Sequence, residues 1–274
     1  QLGMSLDCGD FNGDGYDDLL IGAYNASSDD IRTGKAFLLF GKKDVEFSII
    51  DLALPFIGIE FIGDDDGDAF SMAVKMADIN RDGLKDVLIG APFAVSTEST
   101  NNEKTGNVYG YFGFRQNMDI VDSCIKLFGE RDANVIFSGH EKGERFGSAI
   151  EVNNFIRGTF ADIAISAYFS DGDAGKQVGK VYLYSGTRRY KKYVNLQDDV
   201  LEGSEEYGWF GFSMTSKNIT LDTYSDLMIS SFPYANRTKR GSSYILYGRE
   251  SFGKLEEDGI TRMPFNVTFD NADY

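Results

Sequence analysis

The chain has 274 residues, a formal net charge of −16, 31 glycines, four prolines and 14% aromatic residues. That length can bury a large core, and the many glycines and aromatics suit short strands joined by tight turns. The acidity speaks against a nucleic-acid partner, which needs clustered Lys and Arg, and fits both solubility and cation binding. No apolar run reaches the ~20 residues that span a bilayer, so this segment is not expected to insert directly into a membrane. No basic and apolar leader opens the chain, so a secretion signal is expected to have been removed or to lie upstream.

The first informative stretch is Asp10-Phe11-Asn12-Gly13-Asp14-Gly15-Tyr16-Asp17-Asp18, followed by Leu19-Leu20-Ile21-Gly22-Ala23. Oxygen side chains at positions one, three, five and nine, with glycine at six, can surround a hard cation such as calcium. Asp10, Asn12, Asp14 and Asp18 would give side-chain oxygens, and Tyr16 a backbone carbonyl. The pattern returns at Asp78-Ile79-Asn80-Arg81-Asp82-Gly83-Leu84-Lys85-Asp86, before Val87-Leu88-Ile89-Gly90-Ala91. There the set is Asp78, Asn80, Asp82 and Asp86, with the Leu84 carbonyl. An EF-hand loop would end in a glutamate at position twelve and run into a helix. Here a short apolar run follows position nine, which reads as a buried strand, so the cation would staple a β-hairpin.

Aligned on these loops, the chain divides into four units, about 1–68, 69–144, 145–208 and 209–274. Each opens with Phe or Leu and a small residue: Leu2-Gly3, Phe70-Ser71, Phe146-Gly147 and Phe210-Gly211. These pairs are expected in the first strand. Loop position one follows as Asp10, Asp78, Asn154 and Asn218, and position nine is always aspartate: Asp18, Asp86, Asp162 and Asp226. A second, wholly apolar strand comes next, with small residues that allow close backbone approach. A third lies within Gly34–Gly41, Gly106–Gly113, Gly179–Gly186 and Gly241–Gly248. A fourth, more polar and expected on the outside, ends near Gly63, Gly139, Gly203 and Asn271. Four strands per repeat is the pattern of β-propeller blades, so the fold class is all-β.

The loops decay along the chain. The third, from Asn154 to Asp162, has no acid at positions three or five and is expected to hold no metal. The fourth keeps Asn218, Thr220, Asp222 and Asp226 but has Thr223 in place of the glycine, which makes it a weaker third site. Asn218 also begins one of four glycosylation triplets, with Asn25, Asn236 and Asn266. These point to exposed loops and the secretory pathway. Cys8 and Cys124 are expected as buried free thiols or as partners of a segment elsewhere.

The phrases DFNGDGYDDLLIGA, FGSAI, GKVYLY and DINRDGLKDVLIGAP resemble FG-GAP repeats, as found in the integrin α-subunit headpiece, over essentially the whole chain. The resemblance implies a β-propeller with calcium in hairpins between first and second strands, on the face away from ligand. It also implies a seven-bladed-type propeller, of which four repeats would be a part. The expected function is a non-enzymatic, calcium-stabilised binding module at the cell surface or outside the cell. It would serve adhesion or receptor assembly through a protein ligand or partner subunit. The alternatives are a propeller lectin binding glycans and the accessory propeller of a phospholipase D-type enzyme. Catalytic machinery is not expected: the single histidine, His140, reads as an exposed turn residue. Asp64-Asp65-Asp66-Gly67-Asp68 reads as a solvated turn, and Trp209 as interface packing.

Overall fold

The computed structural model describes residues 2–27, 31–43, 58–96, 102–115, 125–156, 158–194, 196–233, 241–248 and 261–262. The first three strands, β1 (Leu6–Gly9), β2 (Asp18–Ala23) and β3 (Lys35–Leu39), form an antiparallel meander that β4 (Gly58–Ile62) completes. The second meander is β5 (Ala73–Ala77), β6 (Asp86–Ala91) and β7 (Asn107–Tyr111). The chain then makes β8 (Ile125–Gly129) before returning with β9 (Val135–Ser138). The third is β10 (Ile150–Asn153), β11 (Asp162–Ala167) and β12 (Lys180–Tyr184), then β13 (Tyr193–Val194) and β14 (Asp199–Glu202). The fourth sheet has β15 (Ser213–Lys217), β16 (Asp226–Ser231) and β17 (Ser242–Leu246), and β18 (Thr261–Arg262) follows.

The strands between third and fourth positions explain a feature that periodicity did not show. β8 pairs in parallel with β4, β13 with β9, and β18 with β14. Each thus crosses back to the outer edge of the preceding sheet. The fourth strand was expected to be outermost and polar; instead every residue of β9 and β14 is buried. A parallel cover from the next unit satisfies an edge that would otherwise be open to pairing. The fourth strand expected near Asn271 lies outside the described residues.

First strands of successive sheets lie side by side: β1 against β5, β5 against β10, and β10 against β15. That arrangement around an axis is the propeller geometry, and the fold is all-β. The second strands of the two middle sheets, β6 and β11, are buried on both faces because each separates two cores. Val87 and Ile89 of β6 face Leu20, Leu38 and Phe61 of the first sheet. Leu88 between them faces the other way, toward Ile163, Ile165 and Tyr182. The pleat still alternates with period two, but both sides find apolar partners. Each such Leu, Ile or Val contributes ~1.5–3 kcal/mol by burial.

The opening pairs lie in the turns before the first strands rather than in them. Phe70, Phe146 and Phe210 are at most 1% exposed, and the residue after each has a left-handed backbone: Ser71 (φ 73°), Gly147 (φ 91°) and Gly211 (φ 89°). Each phenylalanine N–H donates across to the preceding sheet, to the carbonyls of Thr33, Thr105 and Val178. The small residue then meets the end of that sheet's second strand. A Cβ on Gly22 would stand 2.4 Å from the Ser71 carbonyl, and one on Gly90 2.0 Å from the Gly147 carbonyl. In the third sheet the equivalent residue is Ser166, whose hydroxyl donates to the Gly211 carbonyl at 2.5 Å.

Candidate metal-binding loops

The loop residues 10–17 and 78–85 join the first two strands of the first and second sheets. They fold alike, sharing most of their hydrogen bonds. Asp10 accepts the N–H groups of Gly13, Asp14 and Gly15, and Asp78 accepts those of Asp82 and Gly83. Asn12 Oδ1 accepts from Asp14 N–H, and Asn80 Oδ1 from Asp82 N–H, both at 2.9 Å. Asp14 Oδ1 takes the N–H of Tyr16, and Asp82 Oδ1 that of Leu84. Position six is left-handed in both, Gly15 at φ 88° and Gly83 at φ 91°, which is why glycine recurs there.

Position nine has a different job. Asp18 accepts Phe11 N–H on Oδ2 and Gly41 N–H on Oδ1, each at 2.9 Å. Asp86 does the same with Ile79 and Gly113, Asp162 with Phe155 and Gly186, and Asp226 with Ile219 and Gly248. All four carboxylates are buried. Each ties the start of its loop to the residues just beyond the third strand. The glycine there is needed because loop position eight lies against it. A Cβ would stand 2.2 Å from Asp17 O at Gly41, and 2.2 Å from Ala161 O at Gly186. This tie, which loop spacing did not reveal, accounts for an aspartate in all four loops, including the one with no other acid.

Burial raises the Asp18 carboxyl to about 6 and Asp86 to about 7, against the amides that lower them. Asp14 and Asp10 push Asp18 further up, and Asp82 and Asp78 do the same to Asp86. Burial also raises Asp162. At Asp226, burial raises the carboxyl too, but the amides of Ile219, Gly248 and Thr220 outweigh it and the net shift is downward.

The donor set suits calcium in type: three carboxylates, an amide oxygen and a backbone carbonyl per loop. Carboxylate oxygens already bonded to one N–H keep a further lone pair. None of Asp10, Asp14, Asp18, Asp78, Asp82 or Asp86 is ion-paired with Lys or Arg among the described residues. Yet no three His, Cys, Asp or Glu side chains among those residues converge as an ion's ligands would. The Asp10 and Asp14 side chains are turned onto the loop's own amides.

The third loop lacks such a set, and Asn154 reaches instead to the Thr223 carbonyl at 3.5 Å. In the fourth, Leu221 is left-handed (φ 60°) while Thr223 is not. Asn218 Nδ2, the nitrogen a glycan would need, donates to the Asp222 carbonyl at 2.6 Å. Asn25 lies exposed in a turn; Asn236, Asn266 and Cys124 lie outside the described residues. Cys8, expected buried, is free and exposed because β1 turns that side outward.

Elsewhere, His140 is exposed, with its ring 5.2 Å from Tyr182. Asp64, Asp65 and Asp66 are exposed, but Asp68 is 1% exposed and pairs with Lys104 at 3.0 Å, so the acidic turn is only partly solvated. Trp209 packs against Phe169 at 5.0 Å and Tyr168 at 5.5 Å.

Comparison with known proteins agrees with this architecture. The family model described as FG-GAP repeat matches residues 2–38. Human phosphatidylinositol-glycan-specific phospholipase D is 28% identical over 267 residues, 93% of this chain and 29% of that protein. The mouse protein of the same name is 30% identical over the same shares. Human integrin alpha-8 is 30% identical over 239 residues, 84% of this chain and 20% of its own length. The chain thus spans only a fifth to three tenths of these relatives. It carries the FG-GAP repeat in an all-β, propeller-type fold and is similar in sequence to phosphatidylinositol-glycan-specific phospholipases D and to integrin alpha-8.

Proposed function

We propose that the chain is a non-catalytic binding module whose first two hairpin loops each take a calcium ion. The observation that carries this is the pair of loops with matching bonds and three carboxylates apiece, none paired with a cation among the described residues. Asp10, Asn12, Asp14, Asp18 and the Tyr16 carbonyl would hold one ion. Asp78, Asn80, Asp82, Asp86 and the Leu84 carbonyl would hold the other. Calcium there would supply positive charge that offsets clustered carboxylates and rigidifies the hairpins. Sites of this kind in extracellular modules bind at ~10⁻⁴–10⁻³ M, which suits a secreted or cell-surface protein. Similarity to integrin alpha-8 supports adhesion or receptor assembly, with a protein ligand or partner subunit held by loops at the opposite end of the strands. Calcium titration tests the metal reading. Two ions per chain are expected, falling to one in Asp14→Ala or Asp82→Ala; unchanged stoichiometry and melting temperature in both variants would sink it.

A second reading is favoured by the matches to the human and mouse phosphatidylinositol-glycan-specific phospholipases D over 93% of this chain. In it the chain is the accessory propeller of a larger enzyme of that class. The mass and peptide map of the native polypeptide separate the two readings. An attached catalytic domain supports the enzyme; a ~20-residue apolar span after further repeats supports the receptor.

A further inference from the structure

A cavity of about 340 Å³ opens between the second and third sheets. Phe137 of β9 and Tyr184 of β12 line it, their rings 5.0 Å apart, together with Tyr190 and Tyr193. The Tyr184 hydroxyl is buried and makes no hydrogen bond among the described residues. The connection from β12 to β14 runs along this cavity as Thr187-Arg188-Arg189-Tyr190-Lys191-Lys192-Tyr193, four cations without an acid in a chain of net charge −16.

The backbone of this connection has a structural task. It delivers β13 to the edge of β9, where Ile136 N–H donates to the Lys192 carbonyl at 2.6 Å. That task needs no positive side chains. Lys192 Nζ donates to the Arg131 carbonyl at 2.8 Å. Arg188, Arg189 and Lys191 are exposed and make no ion pair among the described residues. Asp198, a carboxylate on the cavity wall, is already engaged by the Ser185 N–H. Arg189 and Lys191 line the cavity itself.

We propose that this cavity binds a sugar bearing a phosphate or sulfate ester, its ring against the exposed Tyr193 and its ester oxygens held by Arg189 and Lys191. The volume is at the small end of the range for small-molecule sites. Tyrosine offers an apolar face with a polar tip, which suits a ring that is apolar on its faces and polar at its rim. Arg gives a planar fork for oxyanions and Lys a compact charge beside it. The site uses none of the hairpin-loop residues and goes beyond the calcium reading.

The test is calorimetric titration with the phosphorylated and sulfated forms of N-acetylglucosamine, with the uncharged sugar and inorganic phosphate as controls. At least one ester is expected to bind saturably, about tenfold or more tighter than either control, and more weakly as salt rises. Arg189→Glu with Lys191→Glu is expected to lose about tenfold or more in affinity, and Tyr193→Ala to lose several-fold. These side chains are exposed, and an unchanged melting temperature confirms that the variants fold. No binding of either ester, or affinity indifferent to these substitutions, overturns the proposal. So does phosphate binding as tightly as the sugar esters, which would leave Tyr193 without a role. Anionic phosphatidylserine vesicles binding where the esters do not would also overturn it, in favour of a membrane surface.

Discussion

Asp162 accepts the N–H of Gly186 in a loop whose other metal-type positions have lost their acids. The same oxygen arrangement joins Asp18 to Gly41, where the loop is fully acidic. Position nine therefore serves the hairpin whether or not the loop suits an ion. Asp162→Ala leaves the buried amides of Phe155 and Ile156 without an acceptor and should lower unfolding free energy by ~2–4 kcal/mol. That loss should be equal with calcium and with chelator. Asp14→Ala should instead cost more with calcium than with chelator, where only its bonds from Tyr16 N–H and Asn12 Nδ2 are lost. Paired urea melts of the two variants read the contrast directly.

The approach of Gly147 to Gly90 gives a second expectation. A Cβ at Gly90 would meet backbone, not a flexible side-chain end. Gly90→Ala should therefore force the second and third sheets apart and cost ~1–3 kcal/mol. Gly83→Ala meets nothing within 4 Å but sits at φ 91°, so its penalty is conformational alone. Differential scanning calorimetry of both variants compares clash with strain.

Ser71 holds the position that is glycine in the other opening pairs. At φ 73° it carries left-handed strain of ~1–2 kcal/mol. Its hydroxyl repays this, accepting Ala23 N–H at 2.9 Å and donating to the Lys35 carbonyl at 2.5 Å. Ser71→Gly should relieve the strain but orphan a buried amide, for a net loss of ~1 kcal/mol. A stability gain in thermal melts would show that strain outweighs the bonds.

Glu130 offers a pH signature outside the hairpin loops. Burial raises its carboxyl from 4.5 to about 7, although Tyr109 O–H and Asp64 N–H donate to it. The folded chain thus keeps a proton that the unfolded chain has released. The stability this contributes is complete below the unfolded value and is lost as pH rises through about 7. Glu130→Gln cannot titrate, so the free-energy difference should move toward the variant by ~3 kcal/mol between acid and mildly alkaline pH. Urea midpoints across that range, with the wild type alongside, measure it; a pH-independent difference would contradict the burial effect.

The repeat and its strands could be read from the chain because their determinants are local. Oxygen side chains at fixed spacing close a hairpin, glycine takes left-handed turns, and an unbroken apolar run makes a strand covered on both faces. The third strands fell within their glycine-bounded stretches for the same reason. The candidate cation loops were legible in residue type, since Asp10 to Asp18 and Asp78 to Asp86 repeat one grammar. Their bonding was not, because each side chain chooses among several nearby amides.

What only the tertiary structure decided came from residues far apart in sequence. Position nine meets a glycine beyond the third strand, and the opening Phe-Gly pair docks on the preceding sheet. β13 leaves its own unit to cover β9, closing a sheet edge that no local pattern assigned. Local pattern records which residues can turn, pair or pack. Which distant amide an aspartate ties, and which edge a short strand covers, is fixed only when the sheets come together and buried backbone groups must find partners.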